Sequence, residues 1–187
     1  MTFPGQPTET STECIEPGDP PPPTETAPVD IPSEVLKAFE KVPLPASSIS
    51  IQPPGGETLV NFKTILSTPA AQHRVTVHLD KVKIDVVLEL TPSHFLWKHG
   101  DDSVQESSNA GAVWTEGAEV DGEGFITHVY TQKLKAAQVS VDTTRSARFR
   151  GPGDKEWRNV DGTVTKVGAP VSLAVREATP QLVTDPN

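Results

Sequence analysis

Five histidines, His73, His78, His94, His99 and His128, are the side chains of this 187-residue chain best suited to moving protons or holding a metal near neutral pH. A zinc site draws on histidine, cysteine and carboxylate at short, regular spacings. Here no His-Glu-x-x-His occurs, and the single cysteine, Cys14, lies far from every histidine. A structural role for His128 and solvated roles for the other four are therefore expected, with no metal and no cofactor. Nucleophilic catalysis finds no better footing. There is no Gly-x-Ser-x-Gly elbow to expose a serine, and no glycine-rich phosphate loop precedes a helix. These observations predict a protein that is not an enzyme, with an uncharacterised hydrolase as the remote alternative.

Two other groups of residues are suited to binding. The segment 102–124 places Trp114, Glu116, Glu119, Asp121 and Glu123 among Gly111, Gly117, Gly122 and Gly124. It is long for a connector. Trp114 either anchors a surface loop on the protein body or stacks on a sugar or a partner surface. The acids raise calcium as a further option, but their spacing lacks the alternating ligands and terminal Glu of an EF-hand loop. The second group is Arg145, Arg148 and Arg150. On a strand Arg148 and Arg150 share a face, which suits either pairing with neighbouring acids or contact with an anionic glycan or acidic protein.

Mainly strands must position these side chains. Residues 1–32 hold nine of the 19 prolines, six acids and no Lys or Arg. Too few apolar residues are present there to offset the entropy of ordering, so a disordered acidic tail is expected. A short docked helix is expected over 33–43, with Ser33 as N-cap, Val35, Leu36 and Phe39 on one face, and Pro43 as the stop. From residue 48 the apolar period becomes two. Strands are expected at Leu59–Leu66, at Val75–Leu79 and Val82–Val86 as either a hairpin or one bent long strand turning near Asp80-Lys81, and at Val86–Leu90 ending before Pro92. Others follow at His94–Trp97, Ile126–Thr131, Gln138–Phe149, Glu156–Val167 and Pro170–Val175. Strands so spaced, with Gly, Pro and Asp turns, predict an all-β sandwich over 44–178 and a C-terminal tail over 179–187.

Two motifs carry a more specific resemblance: Phe95-Leu96-Trp97-Lys98-His99-Gly100-Asp101 and His128-Val129-Tyr130. Together they resemble the signature of the polycystic-kidney-disease (PKD) domain, an immunoglobulin-like β-sandwich. The resemblance implies that Trp97 is central to the core and that Gly100 and Asp101 form a tight turn. It also implies a structural role for His128 and a buried ring with a bonded hydroxyl for Tyr130. Asp102 replaces a second Gly of that pattern, and Thr131-Gln132-Lys133-Leu134 replaces its Pro-Gly stretch. The chain is also similar to a group of actinobacterial proteins with a PKD-like core. That likeness is carried by Leu44-Pro45-Ala46-Ser47, by Gln52–Phe62, by Thr143–Phe149, by the strand containing Trp157 and by Asp161–Thr165. It implies a place outside the membrane.

Charge narrows the partners. Net charge is −9, of which the first 32 residues carry −6, so the body is nearly balanced. No basic surface suited to nucleic acid is foreseen. No apolar run approaches the ~20 residues of a membrane helix, and no export leader is visible at Met1. One cysteine precludes an intrachain disulfide. The combined expectation is a secreted or cell-surface interaction module contacting protein or glycan. A structural subunit or spacer of an envelope assembly, or a cytoplasmic protein, are the alternatives.

Overall fold

The computed structural model describes residues 29–178; residues 1–28 of the expected acidic tail, with Cys14, and the C-terminal tail from residue 179 lie outside them, while Ile31 and Pro32, expected in the tail, are helical. The described residues form one helix, α1 (Ile31–Lys41), and ten strands: β1 (Ser50–Gln52), β2 (Glu57–Leu59), β3 (Lys63–Ser67), β4 (His73–Leu79), β5 (Ile84–Lys98), β6 (Val104–Ser107), β7 (Ile126–Val129), β8 (Leu134–Arg150), β9 (Arg158–Lys166) and β10 (Val171–Arg176). A three-stranded sheet has the order β1-β3-β7. A larger sheet has the order β2-β10-β8-β5-β4, with β6 added on β5 and β9 on β8. No helix among the described residues is long and apolar enough to cross a membrane.

The arrangement is sandwich-like, and its spine is the antiparallel pair β5–β8. The strands expected at 86–90 and 94–97 are one continuous strand. The register passes from Pro92 opposite Arg145 to His94 opposite Thr144, which leaves Ser93 as an extra residue. Such a bulge reverses which residues of a strand face inward. Val86, Leu88 and Leu90 are buried before it, and Phe95 and Trp97 after it. Directly opposite residues share a face. Leu88 faces Phe149, Leu90 faces Ala147 and Trp97 faces Val141, so the bulge keeps all these side chains on one side of the sheet.

That single face receives two covers. At one end the small sheet lies on it, and Leu66 and Ile126 pack with Phe95, Trp97, Tyr130, Val139, Val141, Leu173 and Val175. At the other end α1 lies on it, and Val35 and Phe39 pack with Leu79, Val86, Leu88, Leu90, Phe149 and Val160. An 11-residue helix is marginal alone, so this docking holds it. The helix starts two residues earlier than its sequence predicts. Asp30 is the N-cap, Pro32 sits in the first turn, and Glu34 and Lys41 occupy the first and last turns. Ser33 is helical, and its hydroxyl donates to the Asp30 carboxylate. Pro lacks an N–H and has a helical φ, which suits it to a first turn.

The strand expected at Leu59–Leu66 is broken. β2 pairs in parallel with β10 in the large sheet, whereas β3 pairs with β1 and β7 in the small one. The chain changes sheets at Val60–Phe62, where Asn61 takes a left-handed φ of 61°, a conformation Asn tolerates better than most residues. The Asn61 N–H donates to the Tyr130 carbonyl at 2.9 Å. This crossing turns Phe62 outward, leaving it 51 % exposed.

Candidate functional site

The turn from β5 to β6 and strand β7 bring together a buried polar cluster. The His99 and His128 rings stack with centroids 3.9 Å apart. His128 Nε2 and Asp101 Oδ2 are 2.7 Å apart. Asp101 also accepts from the backbone and hydroxyl of Ser103. The Tyr130 hydroxyl donates to the His99 carbonyl at 2.9 Å, and its ring meets His128 edge-on. Gly100 has φ +77°, and a Cβ there would lie 2.4 Å from the Gln138 nitrogen. Only glycine lets this turn lie against β8. Asp102, which follows, is also left-handed, with φ 66°. Trp97 is fully buried, and its indole N–H donates to Ser107 Oγ.

Burial sets the protonation of the cluster. It lowers the His99 pKa to about 4, with the neighbouring His128 adding to the effect and Asp101 opposing it. Burial pushes the Asp101 carboxyl up, but the bonds from Ser103 and His128 outweigh it and hold it below its ordinary value. Burial, then the Asp101 charge, raises the Tyr130 phenol. His99 is thus a neutral core residue, not the solvated side chain its sequence suggests, and its Nδ1 has no partner among the described residues. The Ser103 hydroxyl donates to the Asp101 carboxylate and not to an imidazole. His94 lies apart from the stacked pair, 3.9 Å from Glu106. Among the described residues no three His, Cys, Asp or Glu side chains gather as ligands for a metal.

The segment 102–124 folds back over the small sheet. Gln52 clamps Trp114 through both ends of its amide: Gln52 Oε1 accepts the Trp114 N–H at 2.7 Å and Gln52 Nε2 donates to the Trp114 carbonyl. The Trp114 indole N–H donates to the Ala118 carbonyl at 2.8 Å. Trp114 is therefore half-buried and held in place. It forms one wall of a cavity of about 630 Å³, shared with Pro53, Pro54, Phe62, Ile65 and Val120. Gln52, Asn61 and Lys63 supply polar groups at this cavity. Glu116 and Glu119 are exposed and do not line it. Asp121 is also exposed and pairs with Lys63. The three acids point to no shared centre.

The arginines of β8 divide by face. Arg145 is inward and buried, with Nε and Nη1 lacking partners among the described residues; burial lowers its pKa. Arg148 is outward and donates from Nε and Nη2 to Glu89 Oε1. Arg150 is outward, with its Cζ 5.0 Å from the Trp157 ring centroid. Sequence reasoning missed Phe62 because it falls in an alternating apolar run that reads as core. It places Trp157 within a strand over Glu156–Val167 and gives it no site role, whereas β9 begins at Arg158 and Trp157 lies just before it. Asn61, a residue suited to left-handed backbone, was the one available signal that the run breaks.

Comparison with protein-family models, with curated proteins and with solved structures finds no match to this chain.

Proposed function

We propose that this chain is a non-catalytic interaction module, secreted or displayed on a cell surface, built on an immunoglobulin-like sandwich of the PKD type. The observation that carries this reading is the groove between Trp114 and Phe62. Its size falls within the ~300–1,000 Å³ of small-ligand sites, and such sites combine apolar walls with a few polar groups. Aromatic and proline faces beside the amides of Gln52 and Asn61 suit a sugar ring, which presents C–H faces and hydroxyls. A glycan is therefore the preferred ligand, with a protein loop second.

The test is a glycan-array screen followed by calorimetry on wild type, Phe62→Ala and Trp114→Ala. Phe62 is half-exposed and should alter stability by no more than about 0.5 kcal/mol while lowering affinity at least tenfold. Trp114→Ala should lose both binding and some stability, because its indole N–H is bonded within the loop. Glycan binding that survives Phe62→Ala unchanged would sink the assignment to this groove.

A further inference from the structure

The outer face of the helix-covered half carries a charged assembly that the groove does not explain. Arg74 on β4, Glu89 on β5 and Arg148 on β8 are directly opposite one another in register. Glu89 faces away from the helix, yet it is only 1 % exposed. It accepts Arg74 through Nε and Nη2 at 2.7 and 2.6 Å, and Arg148 through the same two atoms, both at 2.5 Å. Burial raises the Glu89 carboxyl, but these bonds outweigh it and hold it below its usual range. Trp157 lies beside them, with the Arg74, Arg148 and Arg150 guanidinium carbons 5.3, 5.1 and 5.0 Å from its ring centroid. Three guanidinium groups against one carboxylate leave a charge of +2.

Arg150 differs from its neighbours. It makes no ion pair or side-chain hydrogen bond among the described residues, although a stacked guanidinium retains its in-plane N–H donors. It also lines a cleft of about 720 Å³ between the turn after β4 and the turn after β8, together with Lys83, Asp85, Val87, Pro152 and Asp154. Both acids of this cleft are engaged. Asp85 pairs with His78 at 2.7 Å, and Asp154 accepts from Arg158 and from the Gly151 N–H. Lys83, like Arg150, has no acidic partner among the described residues. Arg150 and Lys83 are thus the two cations of the cleft without an acidic partner among the described residues, while Asp85 is held by His78 and Asp154 by Arg158.

We propose that Arg150 and Lys83, backed by the Arg74–Glu89–Arg148 bridge and Trp157, form a binding site for the dianionic phosphate of a phosphorylated sugar. The planar fork of Arg150 matches phosphate oxygens bidentately, and Lys83 adds a point charge. A phosphate monoester carries about −1.5 to −2 at neutral pH, which matches the two cations of the cleft, Arg150 and Lys83, better than a single carboxylate would. Pro152, beside Arg150 in the cleft, offers the sugar an apolar face. This site is independent of the Trp114 groove, and the two readings fail separately.

The test titrates the full-length, 15N-labelled protein with glucose 6-phosphate, following the Trp157 indole resonance. Glucose, inorganic phosphate and a phosphoserine peptide are run alongside. Glucose 6-phosphate should shift the resonance saturably, more tightly than inorganic phosphate and with no response to glucose. Arg150→Ala should weaken binding at least tenfold, Arg150→Lys should recover only part of it, and Lys83→Ala should weaken it severalfold. Unchanged amide spectra away from the cleft would show that the variants fold. No response at millimolar glucose 6-phosphate, or equal affinity in Arg150→Ala, overturns the site. Equal binding of inorganic phosphate, or tighter binding of the phosphopeptide, overturns the sugar assignment.

Discussion

The two ends of the β5–β8 ribbon are covered on the same face, but by different physical means. At one end a second sheet closes a core around Trp97 and Tyr130. Its strands come from residues 50–67 and 126–129, so the cover is assembled from distant parts of the chain. At the other end a single helix supplies the cover through Val35 and Phe39. The sheet-covered end contains a partly buried polar network in which His99 stacks on His128, His128 meets Asp101 and Tyr130 bonds the His99 carbonyl. The helix-covered end has an apolar interior and places its polar network outside, around Glu89 and Trp157. The turn that carries the inner network lies so close to β8 that only glycine fits at position 100. A network on the outer face can leave guanidinium donors free for a ligand.

The largest expected effect falls on the sheet-covered end. Trp97→Ala should destabilise by about 3–5 kcal/mol, because the ring is fully buried and its indole N–H is bonded to Ser107. Chemical denaturation of the purified variant reads this directly, and near-neutral unfolding would remove Trp97 from the core. Phe39→Ala should cost about 3 kcal/mol at the other end, where Phe39 is equally buried. Amide exchange sharpens the comparison. If the ends are energetically separable, Phe39→Ala will speed exchange in α1 and β4 more than in β3 and β7. Equal acceleration everywhere would make the shared ribbon one cooperative unit.

The ends should also part with pH. The folded-state pKa of His99 is about 4, below its ordinary 6.5, so the unfolded chain binds the proton more readily. The associated stability is present above pH 6.5 and is lost as pH falls toward 4, by about 3 kcal/mol in all. Asp101 and Glu89 are lowered from ordinary carboxyl values, so their contributions decline only at lower pH. Denaturation midpoints measured from pH 7 to pH 4.5 should fall in wild type and stay flatter in His99→Gln. A parallel decline in both proteins would place the titrating group elsewhere.

Much of the strand pattern is legible in the chain because apolar alternation responds to local burial. The hairpin at Asp80-Lys81 corresponds to the turn between β4 and β5, and Val42-Pro43 ends the helix where proline prevents its continuation. The apolar run at 59–66 misleads because its alternation conceals a change of sheet at Asn61. Pro92 misleads in the opposite sense. It reads as a strand end, yet the bulge beside it allows β5 to continue. Of the candidate site, Trp114 stands out as an aromatic among glycines. Its partners Phe62 and Gln52 are 52 and 62 positions away, and no local pattern joins them.

Local conformations follow from residue order: period-two strands, one amphipathic helix stopped by proline, and a Gly-Asp turn whose backbone only certain residues adopt. Tertiary structure decided everything that depends on contact across the chain. It buried His99 and Arg145 while leaving Phe62 exposed, and it set three arginines around Trp157. The physical reason is that side-chain type fixes local torsional preference, whereas burial and charge pairing depend on which strands become neighbours. That pairing is set by the cooperative packing of both covers on one face of a shared ribbon.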